Sequence, residues 1–346
     1  MNIFKNKKLT LVLLPASCIY RFVVFIRNKL YDWRWLKIRK IHSKVICIGN
    51  LTVGGSGKSV IVGYLANILK KRRRKVVILS RGYKRDSSGT VIVTNGKRLL
   101  TGSKKAGDEP YFLARRLKTI PVIVDEDRYR GSLSAYLHFK PDYILLDDGF
   151  QHRRLYRDWN IVTVNALSAF YNRYLLPAGP FREPLSALKR ADFIWVTQFN
   201  RAKDWKRTKT IIRKFTDKPF ILSNYEPEKL IQIPSERVIP LDFVFDKKIL
   251  IFSGIANPEG FMTTIRALQP SAIETLEFPD HHEYKDHDFE AIDEKAKSSN
   301  VDIIITTEKD FVRLPTDIRL SKPLFYLEIK LKIIEGEKRF WDAILV

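Results

Sequence analysis

The segment Gly54-Gly55-Ser56-Gly57-Lys58-Ser59 constrains this chain more than any other, because it joins an apolar run at 45–48 to a stretch of helical periodicity. Strand, glycine-rich loop and helix in that order make a phosphate cradle. Small residues let backbone N–H groups come close to an anion, the helix N-terminus adds a positive field, and a lysine there reaches the terminal phosphates. Lys58 occupies that place, and the Ser59 hydroxyl beside it suits Mg2+. Beyond the loop, Val60/Ile61, Tyr64/Leu65 and Ile68/Leu69 recur four apart, which predicts a helix packed by one stripe on a sheet. The strict spacing of such a loop has glycine where this chain has Thr52; Gly54 and Gly55 supply the flexibility instead. The residues expected to hold the nucleotide are Thr52, Val53, Gly54, Gly55, Ser56, Gly57, Lys58 and Ser59. An Asn-Lys-x-Asp guanine reader is not evident, which favours ATP over GTP.

A phosphate loop needs an acid at the end of a nearby apolar strand to hold its metal. Tyr143-Ile-Leu-Leu-Asp147-Asp148 meets that need, although strand-terminal aspartates also serve as helix caps. The following Gly149-Phe150-Gln151-His152-Arg153-Arg154 puts polar groups where open α/β sheets bind ligands.

After residue 44, short apolar runs alternate with helical stretches, which predicts an α/β fold with a mostly parallel sheet. Strands are expected at 45–48, 76–79, 121–124, 143–146, 161–164 and 193–197, and again at 249–253, 273–278, 301–306 and 324–331. Several prolines between the two sets suggest a hinge at 219–246. The expected divisions are an N-terminal membrane-interfacial segment (1–44), a P-loop kinase domain (45–218), the hinge, and a smaller second α/β domain (247–346).

The net charge of +24 favours anionic partners, and its distribution narrows the choice. Residues 1–44 carry eleven Lys or Arg against one acid, Asp32, beside the most apolar part of the chain. That pairing fits an anionic lipid surface better than nucleic acid. The uncharged run 9–20 is shorter than a span requires and is followed by Arg21 and Arg27, so an interfacial segment is expected, with a buried helix or an export signal as competing readings. Tyr20, Tyr31, Trp33 and Trp35, interleaved with Arg34, Lys37, Arg39 and Lys40, suit the headgroup layer. Cys18 and Cys47 alone make neither a disulfide framework nor a structural zinc site, which fits a reducing compartment.

The string Gly49-Asn50-Leu51-Thr52-Val53-Gly54-Gly55-Ser56-Gly57-Lys58-Ser59 is followed by Arg81-Gly82-Tyr83, Gly107-Asp108-Glu109-Pro110 and Asp147-Asp148-Gly149-Phe150-Gln151-His152. Then come Leu176-Pro177-Ala178-Gly179-Pro180-Phe181-Arg182-Glu183-Pro184, Gly254-Ile255-Ala256-Asn257-Pro258, Phe278-Pro279-Asp280-His281-His282 and Thr306-Thr307-Glu308-Lys309-Asp310. Collinear over nearly the whole chain, these strings resemble the tetraacyldisaccharide 4'-kinase family, whose phosphate loop has the same non-standard entry. The resemblance implies a P-loop fold of two α/β domains with an N-terminal membrane-associated helix. It implies transfer of the γ-phosphate of ATP, with Mg2+, to the 4'-hydroxyl of an acylated glucosamine disaccharide 1-phosphate at the cytoplasmic face of the inner membrane. No nucleic acid and no obligate protein partner are expected.

By the same resemblance Asp108 is the general base and His281 its partner, with His282 the neighbouring alternative. Lys58 and Asp148 join them as catalytic residues. Ser59, Asp147, Asp148 and Gln151 are the implied metal ligands, and Asn50, Arg81, Tyr83, Glu109, His152, Arg182 and Glu183 the implied substrate contacts. Glu308-Lys309-Asp310 receives no role. The basic run 70–75 closes the P-loop helix, where cations suit its C-terminal dipole.

Overall fold

The computed structural model describes residues 7–345 apart from Ser56, 168–171, 203–204 and Thr316. The chain opens with α1 (Lys7–Asp32), β1 (Lys44–Gly49), α2 (Lys58–Lys71), β2 (Val76–Ser80) and β3 (Val91–Thr94). Next come α3 (Ser103–Ala106), α4 (Asp108–Leu117), β4 (Val122–Val124), α5 (Arg128–Phe139), β5 (Tyr143–Asp147), β6 (Trp159–Asn165), β7 (Phe193–Thr197) and α6 (Trp205–Arg213). The remainder is β8 (Phe220–Ile233), β9 (Val238–Ile239), β10 (Lys248–Ser253), α7 (Pro258–Arg266), β11 (Ala272–Glu277), α8 (Asp286–Ser298), β12 (Ile303–Thr307), α9 (Glu308–Phe311), β13 (Leu324–Glu335) and α10 (Glu337–Ile344).

Two compact units result, one taking in residues up to 224 and from 331 onward, the other residues 225–330. The chain leaves the first unit within β8 and re-enters it within β13, so the 219–246 segment contains β8, β9 and a 3-10 turn at Leu241–Val244. In the first unit the strand order is β7-β6-β1-β5-β2-β4-β3, with the start of β8 beside β7. All pairs there are parallel except the edge pair β3–β4. The last helix, α10, returns to this unit, where Phe340 meets Trp195 edge-on at 5.4 Å.

In the second unit the order is β11-β10-β12-β13, all parallel. Strands β10 and β12 are buried on both faces: Ile249, Ile251, Ile303 and Ile305 enter one core, and Leu250, Phe252 and Ile304 the other. That is why they read as continuous apolar runs rather than alternating ones.

Helix α1 extends well beyond the uncharged run 9–20. It runs 26 residues without interruption by Arg21 or Arg27, and Pro15 lies inside it. By length and composition it could cross a membrane. Charges end a hydropathy window but not a helix, because the backbone bonds do not depend on side-chain polarity. One face is docked: Ser17 donates to the Leu175 carbonyl at 2.8 Å, the Tyr20 hydroxyl to the Arg182 carbonyl at 3.1 Å, and Val24 is buried. The opposite face leaves Val12, Ile19, Phe22, Val23 and Ile26 exposed at three-, four- and seven-residue spacing.

Candidate active site

The register of β1 against β5 pairs Ile48 with Asp147, so the glycine-rich loop and the two aspartates emerge at one sheet edge. Gly49 is required there, because a Cβ would lie 2.5 Å from that of Phe150. Within the loop, Gly54 has φ 100° and Gly57 φ 77°, and Gly57 is the N-cap that launches α2 at Lys58. Ser56 lies outside the described residues. Thr52 bridges to Phe181 and the Val53 N–H donates to the Pro180 carbonyl at 2.8 Å, so the loop entry is braced by 180–182.

The charged centre is Asp148. Lys58 Nζ stands 3.6 Å from its Oδ1, and Arg182 forks onto both oxygens at 2.8 and 3.0 Å. Burial alone would raise the Asp148 carboxyl, but Lys58, Arg182 and Arg128 outweigh it and hold it well below the ordinary carboxylate range. Arg182 also bonds the side-chain oxygen of Asn50, and Gln151 donates to the Asn50 carbonyl at 2.9 Å. Asp147 is fully buried, with Ser80 Oγ 3.5 Å away, and Ser59 is buried in the first turn of α2.

Among the described residues, Asn50 Nδ2, Gln151 Oε1, His152 Nδ1 and Arg182 Nε of this cluster are buried without a hydrogen-bond partner. Each unmade bond costs about 1–3 kcal/mol, so their concentration in one place marks a site that a polar ligand completes. Ser59, Asp147, Asp148 and Gln151 offer oxygen donors only, the set a hard cation such as Mg2+ takes. No three His, Cys, Asp or Glu cluster as a closed metal cage among the described residues, and phosphate oxygens would complete such a shell.

The other expected residues fall in separate places. Asp108 and Glu109 lie in the first turn of α4; Pro110 is tolerated because first-turn N–H groups have no helical acceptor. Only glycine suits position 107, where φ is 86° and a Cβ would meet the Tyr83 carbonyl at 3.0 Å, so the 81–83 loop packs against the start of α4. Arg81 and Tyr83 are themselves exposed. Glu183 is fully buried, its carboxylate taken up by Arg27 and Asn28 of α1, each at 3.2 Å, and by Arg190.

In the second unit, His281 is half-buried in the turn after β11. His282 is engaged structurally: its Nε2 lies 2.9 Å from Asp288 Oδ2 and its ring stacks on Phe278 at 4.8 Å. Sequence reasoning missed Arg128, buried at the start of α5, whose charge acts on both Asp147 and Asp148. Its only signal was an arginine opening a helix just past a strand end.

A parallel sheet carrying a glycine loop, a helix-initiating lysine and a neighbouring strand-end carboxylate defines a P-loop phosphotransferase. The profile of the tetraacyldisaccharide-1-P 4'-kinases matches residues 9–346, and the chain belongs to that family. A tetraacyldisaccharide 4'-kinase of Aquifex aeolicus is 38% identical over 326 residues, covering 94% of this chain and 95% of that protein. One from Syntrophus aciditrophicus is 35% identical over 346 residues, covering 97% and 92%. A crystal structure of the Aquifex aeolicus enzyme, solved in complex with ATP, superposes with a TM-score of 0.79 at 35% identity over 97% of this chain and 98% of that one.

Proposed function

We propose that this protein transfers the γ-phosphoryl group of ATP to the 4'-hydroxyl of a tetraacylated glucosamine disaccharide 1-phosphate, giving the bis-phosphorylated lipid A precursor. The observation that carries this reading is the Lys58–Asp148–Arg182 cluster beside the glycine loop, in a chain that matches the family from residue 9 to its last residue. Residues 52–59 cradle the phosphates and Lys58 neutralises the terminal ones. Ser59, Asp147, Asp148 and Gln151 are the residues that would hold Mg2+, which when bound would offset charge on the transferring phosphoryl group. Asp108 takes the proton of the 4'-hydroxyl as its oxygen bonds the γ-phosphorus and the bond to the β-phosphate oxygen breaks, and His281 keeps the catalytic role that the family resemblance implies. Asn50, Arg81, Tyr83, Glu109, His152 and Arg182 line the path of the acceptor, and Glu183 supports it from behind.

The exposed apolar face of α1, flanked by its cations, seats the protein at the cytoplasmic face of the inner membrane, where the acyl chains of the substrate reside. The test is to incubate purified protein with ATP, Mg2+ and the disaccharide 1-phosphate in detergent and to look for a bis-phosphorylated product. Absence of product under every metal condition overturns the reading.

A further inference from the structure

Glu308-Lys309-Asp310 has no part in that scheme, yet Asp310 is fully buried and gathers four donors. Its Oδ1 accepts from the Gly254 N–H at 3.0 Å, the Tyr284 hydroxyl at 3.1 Å and Arg313 Nη1 at 3.3 Å, while Oδ2 accepts from the Thr307 hydroxyl at 2.6 Å. A buried carboxylate satisfied at four positions is a fixed structural part. It fixes the turn that carries His281. The Gly254 carbonyl accepts from Arg313 Nη1 at 3.0 Å and from the His281 N–H at 3.1 Å, so the Gly254 residue is gripped through both its N–H and its carbonyl. A Cβ at Gly254 would stand 3.1 to 3.2 Å from His282, Pro279 and Asp310, which leaves that contact no slack. His281 itself has φ 62°, a left-handed conformation that surrounding contacts must hold.

The other terminal nitrogen of the same guanidinium, Arg313 Nη2, faces His281 Nδ1 at 3.4 Å. A guanidinium only donates, so Nδ1 must accept, and the single proton of a neutral imidazole then resides on Nε2. We propose that Arg313, seated by Asp310, is a positioning residue that fixes His281 as the Nε2–H tautomer. This rests on the reading of His281 as a catalytic residue.

The test uses the full chain in detergent, labelled with 15N-histidine, at mildly alkaline pH, with the His281 signals assigned by their loss in His281→Gln. The expected wild-type spectrum shows Nε2 as the protonated nitrogen, and Arg313→Met converts it to a tautomer mixture. That variant should lose about tenfold or more in kcat with KM for ATP within twofold, and Arg313→Lys, which keeps a donor, should recover part of the loss. An Nδ1–H wild-type spectrum, or one unchanged by Arg313→Met, overturns the proposal, and the wild-type measurement does so even if a variant fails to fold. If the Nε2–H tautomer is seen but His281→Gln keeps full kcat, the tautomer assignment stands and the catalytic reading of His281 is what fails.

Discussion

Arg182 grips both carboxylate oxygens of Asp148, at 2.8 and 3.0 Å, across 34 positions of the chain. A planar fork of this kind fixes the orientation of the carboxylate as well as its charge. Arg182→Lys keeps the charge and loses the fork, and is expected to lower kcat by about tenfold or more with little change in melting temperature. Steady-state kinetics of the purified variant at saturating ATP and lipid check this, and a normal kcat would show that the fork has no catalytic consequence.

Glu183 fastens α1 to the loop that also carries Arg182. Its carboxylate is fully buried and meets Arg27, Asn28 and Arg190. Glu183→Ala leaves two arginines facing each other with no anion, a change that costs roughly 3–5 kcal/mol when one partner of a buried pair is removed. The melting temperature should fall, and limited proteolysis should begin to cut within α1. Cleavage resistance equal to wild type would mean that α1 is held mainly by its other contacts.

The ring of His152 is pushed down to about 4, first by burial and then by the Arg128 charge. The folded state therefore favours the neutral ring, and the unfolded chain, with an ordinary value of about 6.5, takes up the proton first as pH falls. Its contribution is complete above about pH 6.5 and is lost progressively toward about pH 4, on the order of 3 kcal/mol in all. His152→Gln should flatten the pH dependence of stability across that window, measured by denaturant melts without added cation. An unchanged slope would place the acid sensitivity elsewhere.

Phe22 and Val23 are 63% and 57% exposed on the free face of α1. Replacing both with aspartate should weaken binding to acidic vesicles strongly while leaving the melting temperature within about a degree, since changes at exposed positions are usually small. Co-sedimentation decides it: retention equal to wild type would rule out this face as the bilayer contact.

Much of the site was legible in local patterns. Gly54, Gly57, Lys58 and Ser59 declare a phosphate loop because its backbone conformation demands those residue types at that spacing. Asp147 and Asp148 close a short apolar run whose length reads as a buried strand. The continuity of α1 was not legible, because Arg21 and Arg27 interrupt hydropathy while the helix depends on backbone bonds; Arg27 finds its partner 156 positions away in Glu183.

What the amino-acid order determined alone is therefore the class of fold, the phosphate loop and the strand-end carboxylates, since each depends on neighbours within a turn or two. Tertiary structure alone decided that Arg182 turns to Asp148 and Glu183 to α1, rather than pairing with each other as adjacent residues. It also decided that Asp310 anchors Gly254 from 56 positions away, and that α10 returns to the first unit. Those outcomes follow from strand register and from the need to satisfy every buried charge, which are properties of the packed chain and of no local pattern.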